Sequence, residues 1–188
     1  VELLDDTIVD LASANNEYRK YVELMPRPDG ALRAVLYVEY FESQPASQRG
    51  SEPGEIEGKF AALRAMVGGL APSARMAEYV DAKSMGEAWK LRKAGEPLLH
   101  GMPGDRKPIT FVEDNAVPVE RLSEFVREFR KIVQARGTNA AFWAHASVGV
   151  LHVRPLIDIH SPSDRAVMRS IAVETADLAR ELGGVMSG

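Results

Sequence analysis

The chain has no cysteine. That removes disulfides, thiolate nucleophiles, cysteine-ligated zinc and cysteine-ligated iron–sulfur clusters from its 188 residues. It also lacks any apolar run near the roughly 20 residues that span a bilayer. No block of like charge is present: 23 Lys and Arg stand against 27 Asp and Glu, for a net charge of -4. A mildly acidic chain of this kind is a poor partner for nucleic acid or an anionic membrane surface. No Gly-rich dinucleotide fingerprint opens a helix. The opening VELLDD has neither the n-region nor the h-region of a signal peptide, so the expected location is cytoplasmic. It also lacks Met, and GGVMSG closely follows a helix-like segment, so both ends read as cuts in a longer polypeptide.

What is present is an ordinary globular composition. Hydrophobic residues make up 45% and charged residues 27%, which argues against global disorder. The length fits one domain, or at most two small ones.

Hydrophobic periodicity orders the elements. Leu3, Leu4, Ile8 and Leu11 predict a helix over residues 2–12. PRPDG at 26–30 is a turn, RAVLYVEYF at 33–41 a strand, and SQPASQRGSEPG at 43–54 a loop. A helix with Ile56, Phe60, Leu63 and Val67 on its apolar face is expected to stop at Gly68-Gly69. RMAEYV at 75–80 reads as a short strand, 84–99 as a helix fraying near Gly95 and Pro97, and ITFVED at 109–114 as a strand. The clearest helix is 118–135, where Leu122, Phe125, Val126, Phe129, Ile132 and Val133 keep helical spacing without a miss. Pro118 opens it and Gly137 ends it, and Asp114 is positioned to cap it. Strands are predicted at 140–147 and 150–156, then a last helix capped by Ser161. The expected fold is α+β, a largely antiparallel sheet with helices packed on one face. The order is compatible with a ferredoxin-like arrangement, and with a duplicated one.

One pair of the four histidines has an informative spacing. In WAHASVGVLHVRP, Val148-Gly149 lies midway between His145 and His152. A two-residue hairpin turn there sets the two histidines directly opposite each other on one sheet face. Imidazoles so placed can share one first-row metal ion, zinc above all. On spacing alone the plainer reading is two polar residues on a solvated or partly buried sheet face. Trp143 and Arg154 fall on the same face by parity, where stacking is the simpler role and substrate contact the alternative. Glu113 and Asp114 are adjacent, so a strand points them to opposite sides. His100 and His160 read as surface residues, and Lys90, Arg92 and Lys93 as a solvated basic turn.

Four stretches in order carry a family resemblance. WAHASVGVLHVRP resembles the GHAGDGNLH segment of the FAD-linked 2-hydroxy acid dehydrogenases and oxidases, the glycolate oxidase, D-lactate dehydrogenase and D-2-hydroxyglutarate dehydrogenase relatives among the vanillyl-alcohol-oxidase-type flavoproteins. AWKLRKAG at 88–95 resembles their LWxxRxA helix. VEDNAVPVERLSEFVREFRKI at 112–132 resembles their strand-to-helix segment, and DLARELGGVMSG at 177–188 the stretch leading to Glu-His-Gly.

The resemblance implies that residues 1–188 are the C-terminal, cap or substrate domain of a longer flavoprotein, inactive as a fragment. FAD is then held mainly by an N-terminal domain of the same parent chain. The wording is nearest to long members fused to an iron–sulfur-binding part, and the family places any membrane contact at the inner membrane, peripheral and through an electron acceptor. His145 and His152 match the family's metal-ligating histidines, with a Glu beyond Gly188 completing the site. Arg92 matches the arginine that binds the carboxylate of a small 2-hydroxy acid, a task suited to a planar guanidinium. The chain departs from the family at Ala144, Ser147, Val148 and Val150, where Val150 replaces an Asn near flavin and substrate. It also carries Val112 where some relatives have Lys. A different class, a non-catalytic binding module without metal, stays open on those departures.

Overall fold

The computed structural model describes residues 1–26, 32–41 and 54–187. The turn read at 26–30 and the loop read at 43–54 lie outside them, apart from Pro26 and Gly54.

The chain starts as a strand, β1 (Glu2–Asp5), and only then becomes a helix, α1 (Asp6–Ala14). The helix expected over 2–12 is corrected on this point. Its cause is a cap: Asp5 is extended, and its Oδ1 accepts from the Ile8 amide at 3.1 Å, which starts the helix one residue later. Next come α2 (Arg19–Glu23), β2 (Ala34–Tyr37), α3 (Glu55–Leu70) and α4 (Ala82–His100). They are followed by β3 (Lys107–Pro108), β4 (Asp114–Ala116), α5 (Leu122–Gln134), β5 (Ala140–His145), β6 (Val150–Ile157), α6 (Pro162–Glu181) and β7 (Val185–Met186).

The strands form one antiparallel sheet in the order β2-β1-β5-β6-β4-β7, with β3 pairing the far end of β6. The α+β class holds. The second half of the chain runs β-α-β-β-α-β, and the described residues of the first half do not repeat it.

Helices cover both faces of the sheet, not one. Phe142, Ala144, Leu151 and Val153 face Phe125, Phe129 and Val133 of α5 and Ile171 and Leu178 of α6. The alternate residues, Leu4, Ala141 and Trp143, face Ile8 and Ala12 of α1 and Leu91, Leu98 and Leu99 of α4. Strand alternation makes this division, and the functional side chains lie on the second face.

Three further expectations are corrected. Residues 75–80 form no strand: Val80 is exposed, and the segment is held by Tyr79 donating to the Leu24 carbonyl at 2.9 Å. The strand expected at 109–114 forms at Asp114–Ala116, because a turn at Phe111-Val112 buries Val112 and ties its carbonyl to the Asn115 side chain at 2.8 Å. Among the described residues α3 buries none of its side chains, and it runs through Gly68-Gly69 to Leu70. Likewise α4 continues through Gly95 and Pro97, with Gly95 packed against Leu4 and Ile8.

Asp5 does more than cap α1. Its other oxygen accepts from the Phe142 amide at 2.8 Å, which fastens β1 to β5. Burial pushes its carboxyl up to about 6 against the pull of these two amides. The folded state therefore holds a proton that the unfolded state has lost between about pH 4 and 6. Stability is highest below that window and falls as pH rises through it, by about 3 kcal/mol from this group. Denaturant titrations of wild type and Asp5→Asn at pH 4.5 and 7 check this: the wild type should lose stability relative to the variant as pH rises. Parallel pH profiles would refute it.

Candidate metal and substrate site

The hairpin that carries the histidines is wider than a two-residue turn. Ala146–Val148 form a 3-10 turn, and Gly149 follows at φ 73°. Only glycine fits there. The conformation is left-handed, and a Cβ would lie 2.0 Å from the Val117 carbonyl oxygen. This loop shifts the register by two residues, so His145 pairs with Val150 and His152 with Trp143. The expectation of directly opposed histidines is corrected accordingly. An even shift preserves the face, and the two rings still meet as diagonal neighbours, centroids 5.3 Å apart at 80°.

Neighbouring strands add a carboxylate to each histidine. β1 sets Glu2 opposite His145, and β4 sets Asp114 opposite His152. Glu2 Oε1 lies 2.8 Å from His145 Nδ1, and Asp114 Oδ1 lies 2.7 Å from His152 Nδ1. Four consecutive strands thus present Glu2, His145, His152 and Asp114 on one face. Asp114 is therefore a partner of His152 rather than the cap expected for the helix after Pro118.

Arg92 reaches the same place from α4. It is mostly buried, at 14% exposure, instead of lying on a solvated helix face. Its Nε and Nη2 donate to Glu2 Oε2 at 3.2 and 2.6 Å. Burial pushes the Glu2 carboxyl up, but the bonds from His145 and Arg92 outweigh it and hold the group below its usual range. Across the sheet edge, Tyr37 stands opposite Glu2 and stacks on Trp89. Its hydroxyl is buried without a hydrogen-bond partner among the described residues.

A second network sits two residues further along β6. Arg154 lies 4.7 Å over the Trp143 ring, the stacking expected from parity, although its direct cross-strand partner is Ala141. Its Nε and Nη2 donate to Glu113 Oε1 at 3.0 and 2.6 Å, and Nη2 also reaches Glu96 Oε1 at 2.9 Å. His100 Nε2 is 3.4 Å from Nη1, so His100, though exposed, also borders this network. His160 is exposed, as expected.

Glu113, Asp114 and His152 converge closely enough to suggest a cation site. One oxygen of each carboxylate is engaged, Glu113 Oε1 by Arg154 and Asp114 Oδ1 by His152, so charge in this trio is already partly satisfied. The histidine pair is the better donor set. Each Nδ1 faces a carboxylate, and neither Nε2 has a hydrogen-bond partner among the described residues. Two imidazoles on one tetrahedral ion at about 2.0–2.1 Å hold their centroids about 5 Å apart, close to the separation seen here. The residues present therefore fit a divalent first-row ion. A separate cleft at the other end of β6 is lined by Asp105, Arg106, Asp158 and Asp164, and its arginine is already paired with Asp164 at 2.8 and 3.0 Å.

Glu2 and Asp114 were not legible as partners of the histidines in the sequence. The available signal was the Asp5-Asp6-Thr7 capping pattern, which leaves Glu2 in a strand.

Taken together, the site is a carboxylate-buttressed histidine pair beside a buried arginine on one face of an antiparallel α+β sheet. The chain belongs to the family of C-terminal domains of FAD linked oxidases, which matches residues 1–188. It is similar to the D-2-hydroxyglutarate dehydrogenase of Pantoea ananatis, 29% identical over all of this chain and 18% of the relative. It also resembles that of Escherichia coli K12, 27% identical over all of the chain and again 18% of the relative. The enzyme of the same name from Haemophilus influenzae is 34% identical over 57% of the chain and 10% of the relative. The chain thus spans under a fifth of the length of these curated relatives.

Proposed function

We propose that this domain is the substrate-binding part of an FAD-dependent dehydrogenase that oxidises a D-2-hydroxy acid, with 2-hydroxyglutarate the first candidate. The row Glu2–His145–His152–Asp114 beside Arg92 carries the reading. It sets two uncommitted imidazole nitrogens and a guanidinium on one face of the sheet, the groups needed to hold a hydroxyl and its neighbouring carboxylate. His145 and His152 are the ligands for a divalent metal, zinc by donor type. Arg92 keeps Nη1 available for a carboxylate, since Glu2 takes only the Nε and Nη2 side. Trp143 backs the His152 ring, stacked at 5.2 Å, and limits its rotation. When bound, FAD supplies the two-electron acceptor and the metal supplies Lewis acidity toward the substrate oxygens. An FAD-binding domain elsewhere in the parent chain completes the site, and the great length of the relatives leaves room for an iron–sulfur-binding part as well.

The test uses the full-length protein under anaerobic conditions. D-2-hydroxyglutarate, D-lactate and glycolate are added in turn while the flavin absorption is followed. Bleaching by one of them is the expected result. A protein that carries no flavin, or whose flavin none of the three reduces, would fit a non-catalytic binding module instead.

A further inference from the structure

We propose that Glu2 and Asp114 are positioning residues that aim the two histidines, and that Glu2 also ties the metal ligand His145 to Arg92 as one rigid unit. The proposal rests on the metal reading above. A neutral imidazole has one N–H and one lone pair, and the hydrogen bond made by one nitrogen decides what the other can do. Here both carboxylates face Nδ1, at 2.8 Å on His145 and 2.7 Å on His152. Nδ1 therefore carries the proton in both rings, and both lone pairs are on Nε2. The arrangement is produced twice, by separate strands. β1 flanks β5 on one side, β4 flanks β6 on the other, and each puts its carboxylate in direct register with a histidine.

Glu2 has a second task that Asp114 lacks. Its two oxygens go to different elements: Oε1 to His145 on β5 and Oε2 to Arg92 on α4. These residues are far apart in the chain, and one carboxylate sets their separation. Glu2 is thus no candidate metal ligand, because both its oxygens are engaged. The same bonds keep Arg92 in one orientation.

The two carboxylates should therefore give different phenotypes. In the full-length flavoprotein, Glu2→Gln and Asp114→Asn each keep the shape of the side chain and remove its charge. Calorimetric titration with zinc should show affinity falling about 10–100-fold in both, the usual effect of losing a carboxylate behind a ligating histidine. At saturating zinc, KM for the hydroxy acid should rise more in Glu2→Gln than in Asp114→Asn, because only the first removes the anchor of Arg92. Glu113→Gln, next in sequence but serving Arg154, should leave zinc affinity unchanged. Far-UV circular dichroism and thermal melting of each full-length variant report its folding. If Glu2→Gln and Asp114→Asn bind zinc like wild type while His145→Ala loses it, the positioning roles are refuted and the metal reading stands. If His145→Ala also keeps zinc, the metal reading is wrong and the positioning roles fall with it.

Discussion

An Arg154→Ala substitution is expected to cost the domain about 3–5 kcal/mol, the range for stripping one partner from a buried ion pair. The Arg154 side chain is 4% exposed and Glu113 is 19% exposed, so neither can turn to bulk water when the other is removed. Glu96 is 56% exposed and can rehydrate, so the cost lies mainly with Glu113. The loss has a packing part too, because the guanidinium covers the Trp143 ring. Arg154→Lys should recover only part of the stability, since an ammonium can neither fork between the two glutamates nor lie flat on the indole. Pairing Arg154→Ala with Glu113→Gln should cost less than the sum of the two, because the buried charge left behind is gone. Equilibrium denaturation of the four chains measures this cycle. A single-variant cost under about 1 kcal/mol would place the pair with ordinary surface ion pairs.

The same network shows which features the sequence could and could not reveal. The helix from Leu122 was legible because Phe125, Phe129 and Val133 repeat at helical spacing, and these are its buried residues. The last helix was legible from Ser161, whose hydroxyl caps it by accepting from the Asp164 amide. Those signals are local. The hairpin was legible as a hairpin, but its loop is fitted by Gly149 against Val117, a residue just past β4 and far from the hairpin in sequence. The shared face of His145 and His152 survived the wrong register only because the slip was even. Glu2 and Asp114 were missed for a different reason. Their partners are 143 and 38 residues away, and only the order of strands in the sheet brings them together. Arg92 shows the limit from the other side: local pattern made it a solvated turn of helix, resemblance made it a carboxylate clamp, and the structure buries it against Glu2.

His152→Ala in the full-length flavoprotein is expected to weaken zinc binding about 100–1,000-fold, since a four-ligand zinc site is worth about 10–16 kcal/mol and one ligand roughly a quarter of that. Turnover of the hydroxy acid should fall with it. The choice of His152 over His145 follows from burial. His152 is 20% exposed, stacked on Trp143 and held by Asp114, whereas His145 is 48% exposed. The more restrained ring loses less freedom on ligation, so it contributes more of the affinity. Arg92→Lys provides the contrast. It keeps the charge but loses the flat guanidinium, so zinc affinity should persist while KM rises. Ligation also requires neutral imidazole, so zinc affinity of the wild type should fall as the solution is acidified, with protons released on binding. Zinc titrations at several pH values, set beside turnover of D-2-hydroxyglutarate, measure all of this. A His152→Ala protein that keeps both its zinc and its turnover would leave His152 as a sheet residue packed between Trp143 and Asp114, and would return the carboxylate-backed row to a purely structural role.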